Sequence, residues 1–244
     1  MIAPVEACTP IHEPHASGRR LPTRRELNAH PARKLIHRGR SLAQGDIWLV
    51  PWPTGPLAVK DIGSRPLWWR RLAGRRALAH EARILKRLQG MAGVPRYFGM
   101  IDRDALAMEW MEGGRLPHRR HNDLTVEFFT RLKAIVREMH QRGVAHGDLR
   151  RKNILAGPDG RPCILDYTTS ACVHTGLIRP LKRLIFRHMV LVDWFNILKI
   201  QSGYRPESLT PDEKRLLERP PLLLRLGRWI RQNIYRPFKR LRER

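Results

Sequence analysis

Short apolar runs separated by turn residues mark the first recognisable elements of this chain. Ile47-Trp48-Leu49-Val50 and Leu57-Ala58-Val59-Lys60 each have the length of a half-buried strand. Between them, Pro51-Trp52-Pro53-Thr54-Gly55-Pro56 is turn chemistry, so the pattern predicts a β-hairpin. The period then changes. Over about Leu67 to Gln89, Leu78, Ala82, Leu85 and Leu88 recur at three- and four-residue spacing, which predicts a helix that Gly90 can stop. In that helix Trp68-Trp69 invites packing of at least one ring against the sheet. Tyr97–Ile101 and Ala105–Met111 flank Asp102-Arg103-Asp104 as a second hairpin.

Gly113-Gly114 breaks this pattern, and beyond it the chain reads as helical. Asn122 or Asp123 can cap a helix whose Phe128, Phe129, Leu132, Ile135, Val136 and Met139 form a broad apolar face, ending at Gly143. A helix over about 180–201 is apolar on most sides, which predicts burial in the centre of a lobe. Thr210-Pro211-Asp212-Glu213 is a capping box with proline at the first helical position. The expected fold is α+β and bilobal. A flexible tail occupies 1–34, a small antiparallel-sheet lobe with one helix occupies 35–112, and a reduced helical lobe occupies 113–219. A basic amphipathic segment follows at 220–244. A cleft between unlike lobes is where a ligand sits.

Composition narrows the class. The 244 residues are 42% hydrophobic and 28% charged, enough apolar surface to exclude general disorder. The apolar runs reach about four residues, far short of the roughly 20 that a membrane-crossing helix needs. The start, Met1-Ile-Ala-Pro-Val-Glu, has no basic head before an apolar stretch, so no secretory signal is expected. Three cysteines without a close pair argue against a disulfide framework or zinc site. The expected location is the cytoplasm. Lys+Arg number 47 against 22 Asp+Glu, a net charge of +25 that recruits polyanions. No aromatic platform or nucleic-acid motif accompanies that charge, which disfavours a nucleic-acid reading. In the last segment Leu222, Leu226, Trp229, Ile230 and Ile234 lie beside eight cations from Arg225 to Arg244. Such a segment either lies on an anionic membrane, here the inner face of the cytoplasmic membrane, or packs on the helical lobe.

The candidate chemistry sits after the Gly143 helix stop, in His146-Gly147-Asp148-Leu149-Arg150-Arg151-Lys152-Asn153-Ile154-Leu155. A second carboxylate, Asp166, ends the apolar run Cys163-Ile164-Leu165. The turn Gly157-Pro158-Asp159-Gly160 folds that run back on Ile154-Leu155, so Asp148, Asn153 and Asp166 converge at one mouth. Two carboxylates and an amide carbonyl are hard oxygen ligands, suited to Mg²⁺ and, beside cationic residues, to phosphate chemistry.

The pattern H-x-D-x-x-x-x-N followed by a strand ending in Asp resembles the catalytic loop and metal-binding Asp of the protein-kinase-like superfamily. His146–Leu149 in particular resembles small atypical kinases of the RIO type and bacterial lipopolysaccharide-core sugar kinases. The resemblance runs over roughly 35–201, with its parts in order. Lys60 is similar to the strand lysine, Glu81 to its helix partner, and Ala107–Gly114 to the hinge that receives adenine. It implies ATP and Mg²⁺ as cofactors. Asp148 is then the catalytic base, and Arg150 stabilises the transferred group. Asn153 and Asp166 hold the metal, Lys60 and Glu81 grip the phosphates, and backbone groups around Glu109 and Met111 bind adenine.

Three features depart from that pattern. Gly39 and Gly45 stand where a full glycine-rich loop would be, Gly147 precedes the base, and Thr168 replaces the glycine of the Asp166 motif. His146 reads as a packing histidine, because Asp148 already suffices as base, and Asp193 as an anchor for the loop backbone. The resulting expectation is an ATP- and Mg²⁺-dependent kinase for a hydroxyl acceptor, foremost a reduced atypical protein Ser/Thr kinase. A glycolipid sugar kinase and a nucleotide-binding pseudokinase are the alternatives.

Overall fold

The computed structural model describes residues 20–117, 124–172 and 179–221. Its first layer is a five-stranded antiparallel sheet of β1 (Lys34–His37), β2 (Asp46–Val50), β3 (Leu57–Asp61), β4 (Tyr97–Asp102) and β5 (Ala105–Glu109). The strand order is β1-β2-β3-β5-β4. Both hairpins expected from the apolar runs are present, with Trp48 opposite Val59 and Met100 opposite Leu106.

Side-chain alternation along β3 sets up everything that follows. Leu57 and Val59 pack with Val50, Ala105 and Leu27 on one face of the sheet. Lys60, next in the chain, is therefore turned to the other face, where it is 9% exposed.

Leu27 belongs to a helix, α1 (Arg24–Ala29), where a loose tail was expected. Its capping box is complete: Thr23 accepts from the Glu26 N–H, and the Glu26 carboxylate accepts from the Thr23 N–H at 2.8 Å. Leu27 is 1% exposed, and Arg24 bonds Asp102 through Nε at 2.6 Å and Nη2 at 2.8 Å while also pairing with Asp61. The cap, one buried leucine and one guanidinium fix a six-residue helix that is too short for a recognisable apolar period.

The helix expected over 67–89 is broken into α2 (Leu67–Trp69), a π-helical turn (Arg70–Gly74) and α3 (Arg75–Arg87). Residues five apart on a straight α-helix point about 140° away from each other. The wider turn brings Arg70 and Arg75 onto the same carboxylate, Asp104, at 2.7 and 2.8 Å. Trp69 lies against Gly74, where an added Cβ would sit 2.3 Å from its ring. One tryptophan ring thus packs, and Trp68 stays outside.

The second layer holds α4 (Val126–Gln141), α5 (Arg179–Gln201), α6 (Pro211–Glu218) and short strands β6 (Gly114–Arg115), β7 (Val144–Ala145), β8 (Ile154–Ala156), β9 (Pro162–Ile164) and β10 (Ala171–Cys172). β6-β8-β9 form one small sheet, and β7 pairs with β10. The α4 cap is Thr125, whose hydroxyl accepts the Phe128 N–H at 3.1 Å. Asn122 and Asp123, proposed for that role, lie outside the described residues. One core runs through both layers, from Leu78, Ile84 and Leu85 of α3 and Leu88 at its C-cap to Phe129, Leu132, Val136, Ile154, Ile164 and Ile197.

α5 is not buried all round. Phe186, Phe195, Ile197, Leu198 and Ile200 are, but Leu184 and Ile185 near its start are exposed. Among the described residues no helix is long and apolar enough to cross a membrane. The segment from 222 onward, and with it most of the basic amphipathic stretch, lies outside the described residues.

Candidate active site

Lys60 is the centre of the site. Its Nζ donates to Glu81 Oε2 at 2.6 Å, to Thr168 Oγ1 at 2.8 Å and to Asp166 Oδ1 at 3.2 Å. Glu81, on the inner face of α3, is 1% exposed, so a charge otherwise expensive to bury is compensated where it lies. Burial alone would lower the Lys60 pKa; the Glu81 and Asp166 carboxylates outweigh that and raise it, keeping the ammonium charged.

Asp166 has φ of 67°, the one positive φ among described non-glycine residues. Such a backbone persists only where the surroundings hold it. Here the holding groups are Lys60 and the Thr168 hydroxyl, which lies 2.8 Å from Asp166 Oδ1 and 3.2 Å from Glu81 Oε2. A hydroxyl has one proton, and the shorter contact directs it to Asp166. Burial pushes the Asp166 pKa up, but the ammonium of Lys60 and the hydroxyl of Thr168 hold it well below the usual carboxylate range.

The loop after β7 brings in the remaining groups. Asn153, in a 3₁₀ turn (Arg151–Asn153), donates through Nδ2 to the Asp148 carbonyl at 2.9 Å and reaches its Oδ2 at 3.4 Å. The Leu165 N–H donates to the Asn153 carbonyl at 2.8 Å, so the β8–β9 hairpin places Asn153 beside the strand end that carries Asp166. Arg150, half-exposed, forms a short ion pair with Asp148 Oδ2. The resemblance implies a place near the transferred group; the structure sets it on the expected base.

The loop backbone is anchored from beneath. Asp193, fully buried in α5, accepts the N–H of His146 at 2.7 Å and of Gly147 at 2.8 Å, and lies 3.0 Å from His140 Nε2. His146 Nε2 reaches the Leu165 carbonyl at 3.0 Å, and its ring packs on Tyr167. It is a buried spacer between the loop and the Asp166 strand.

Two expected parts look different. Glu109 has its carboxylate on Arg96, with Nη2 at 3.1 Å, and its N–H donates to the Arg96 carbonyl at 2.8 Å. That carboxylate and N–H are engaged, and Trp110 and Met111, half-buried past the end of β5, carry the remaining hinge backbone. In the loop that stands where a full glycine-rich loop would be, the Gly39 N–H donates to Asp46 Oδ1 at 2.9 Å. Ser64 and Arg65 hold the same carboxylate, and Arg65 also holds the carbonyls of Gly39 and Gln44. The β1–β2 loop is thus clamped by its own polar groups.

Among the described residues, no three carboxylate, imidazole or thiolate side chains form a self-sufficient metal site. The cleft offers less but suitable chemistry. Asn153 turns its amide nitrogen to Asp148, leaving Oδ1 as a ligand atom. Asp166 spends Oδ1 on Lys60 and Thr168, leaving Oδ2 on a side chain that is 44% exposed. One neutral amide oxygen on the buried Asn153 and one oxygen of the ionised, partly exposed Asp166 carboxylate fit Mg²⁺, which takes one or two protein ligands and completes its shell from phosphate and water.

Sequence reasoning had flagged Thr168 only as a departure from a motif, and it missed His140, Arg96 and the Asp46–Ser64–Arg65 clamp. Nothing in their spacing distinguishes them from surface polar residues.

Comparison with protein families bears on this arrangement directly. The family model of the RIO domain matches residues 65–179. That segment begins just before the helix bearing Glu81 and includes the 146–153 loop, Asp166 and Thr168. Over those residues the chain is similar to the RIO domain, which belongs to a RIO-type atypical protein kinase family of the protein-kinase-like superfamily.

Proposed function

We propose, with this RIO domain as the premise, that the protein is an ATP- and Mg²⁺-dependent kinase of reduced atypical type that phosphorylates protein Ser/Thr hydroxyls. The single observation that supports it best is the Lys60 ammonium bonded at once to Glu81 and Asp166, with Asp148 and Asn153 joined on the adjoining loop.

Each residue then has one task. Lys60, oriented by Glu81, binds oxygens of the α- and β-phosphates. Asn153 and Asp166 hold Mg²⁺, which neutralises charge on the β- and γ-phosphates when bound. Asp148 accepts the proton of the acceptor hydroxyl as its oxygen bonds to the γ-phosphorus and the bond to the β–γ bridging oxygen breaks, releasing ADP. Arg150, paired with Asp148, can exchange that partner for the transferred phosphoryl oxygens, leaving the carboxylate to the hydroxyl.

The test is transfer of label from γ-labelled ATP by the purified protein to Ser/Thr peptides and, in parallel, to sugar hydroxyls of glycolipid. Transfer to peptide that needs Mg²⁺ and falls about 10²- to 10⁴-fold in Asp148→Asn supports the reading. Labelling of the glycolipid alone replaces the acceptor. Tight ATP binding without turnover makes the domain a pseudokinase.

A further inference from the structure

We propose that the helix start at 67–76 is a docking site for an anionic lipid surface, a role independent of the catalytic reading. Leu67, Trp68 and Leu72 are 45%, 58% and 63% exposed. Three such values within six residues make one exposed apolar cluster, of the kind that marks a protein or membrane interaction site. The π-helical turn creates this arrangement, because it sends Trp69 inward onto Gly74 and leaves Trp68 outside.

Charge decides what covers it. The sequence has no acid from Ile62 to His80. Arg65, Arg70 and Arg75 are spent on Asp46 and Asp104. Arg71, Arg76, Arg83 and Lys86 are all exposed, and none pairs with a described acid; Lys86 lies over the Tyr97 ring. Glu81, the one acid of α3, is buried on Lys60. The outer side of this helix therefore runs from an apolar tip into a row of uncompensated cations.

A bilayer with anionic headgroups complements both parts. Trp and Leu enter the boundary between headgroups and acyl chains, and arginine stems lie along it with their charges among phosphates.

The experiment is sedimentation of the full-length protein with vesicles of phosphatidylglycerol in phosphatidylcholine and with phosphatidylcholine alone. Binding is expected to the anionic vesicles and to weaken steeply with salt. Trp68→Ser with Leu72→Ser should weaken it at least about tenfold. Arg71→Glu with Arg76→Glu should do the same while abolishing most of the salt dependence. These side chains are already in water, so unchanged circular dichroism and melting show that both variants fold. Three results overturn the proposal. The first is no binding to anionic vesicles. The second is binding that the Trp68/Leu72 pair leaves unchanged, which would assign it elsewhere, as to the basic residues past 222. The third is self-association, read by light scattering, that the same pair abolishes, which would make a second copy the occupant.

Discussion

Asp193 Oδ1 accepts the backbone N–H of Gly147 at 2.8 Å, joining the middle of α5 to the loop that presents Asp148. The neighbouring His146 N–H is taken by the other carboxylate oxygen at 2.7 Å. Gly147 has φ of 75°, so the chain turns sharply here, and the two amides would otherwise be buried without partners. The carboxylate fixes the direction in which Asp148 leaves the loop.

Replacing Asp193 with Ala strands both amides and His140 in a dry site. The expected loss is roughly 3 kcal/mol of folding stability, read as a lower urea midpoint with unchanged slope. Asp193→Asn, which retains one acceptor oxygen, should lose less. An Ala variant as stable as the parent would show that the anchor is dispensable.

Lys60→Met and Glu81→Gln should each abolish most phosphotransfer, and each leaves one buried charge or dipole uncompensated. Folding stability should therefore be non-additive. The double variant is expected to be at least about 1 kcal/mol more stable than the sum of the single losses predicts, because the fully buried Glu81 charge is gone and only the partly exposed Asp166 has lost its cation. A thermodynamic cycle from denaturant melts measures this directly, and simple additivity would contradict a coupled pair.

Thr168 gives a prediction in pH. The Asp166 pKa is held well below its unfolded value near 3.9. Its stabilising contribution is complete above that unfolded value and drains away as pH falls below about 4 toward the folded pKa, where the unfolded chain binds the proton first. Thr168→Val removes a donor to the carboxylate and brings the folded pKa closer to the unfolded one, so the acid limb of stability should become shallower. Thr168→Ser should restore it. A titration of melting temperature from pH 6 to pH 3 distinguishes the three proteins.

Gly113 has φ of 143°, and a Cβ there would lie 2.4 Å from the Ala156 carbonyl oxygen. Gly113→Ala forces β6 away from β8 and should cost about 2–3 kcal/mol, whereas Gly114→Ala, with open space around it, should cost under about 1 kcal/mol. Equal losses in paired melts would show that the close approach to Ala156 is not limiting.

Cys163 is buried at 7% exposure, and burial pushes its thiol up to about 11. At pH 8 it should resist alkylation in the folded protein and react only in denaturant, as mass spectrometry of labelled peptides would show.

Local pattern alone decided a good deal here. Apolar runs and turn residues define both hairpins because a strand's alternation and a turn's dihedral needs are written in adjacent residues. The capping box at Thr210 and the stop at Gly143 are likewise local. The sequence also places Lys60, Glu81, Asp148, Asn153 and Asp166 in order, and the structure gathers them into two side-chain groups, Lys60 with Glu81 and Asp166 and Asp148 with Asn153, joined through the backbone bond from Leu165 to Asn153.

Tertiary structure decided what those residues touch. Thr168 gained its contacts with Lys60 and Glu81, and Arg24 its hold on Asp61 and Asp102, from chain segments far away in sequence. α1 exists because Leu27 packs on Val50, Leu57, Val59 and Ala105 of the sheet, not because six residues prefer to be helical. The π-helical turn exists because Asp104 draws in two arginines while Gly74 makes room for Trp69. The Gly39 amide was lost to Asp46 by the same logic. Periodicity records which face of an element is apolar, whereas the pairing of polar groups is settled only when folding brings distant donors and acceptors within about 3 Å and removes the water that would have served them instead.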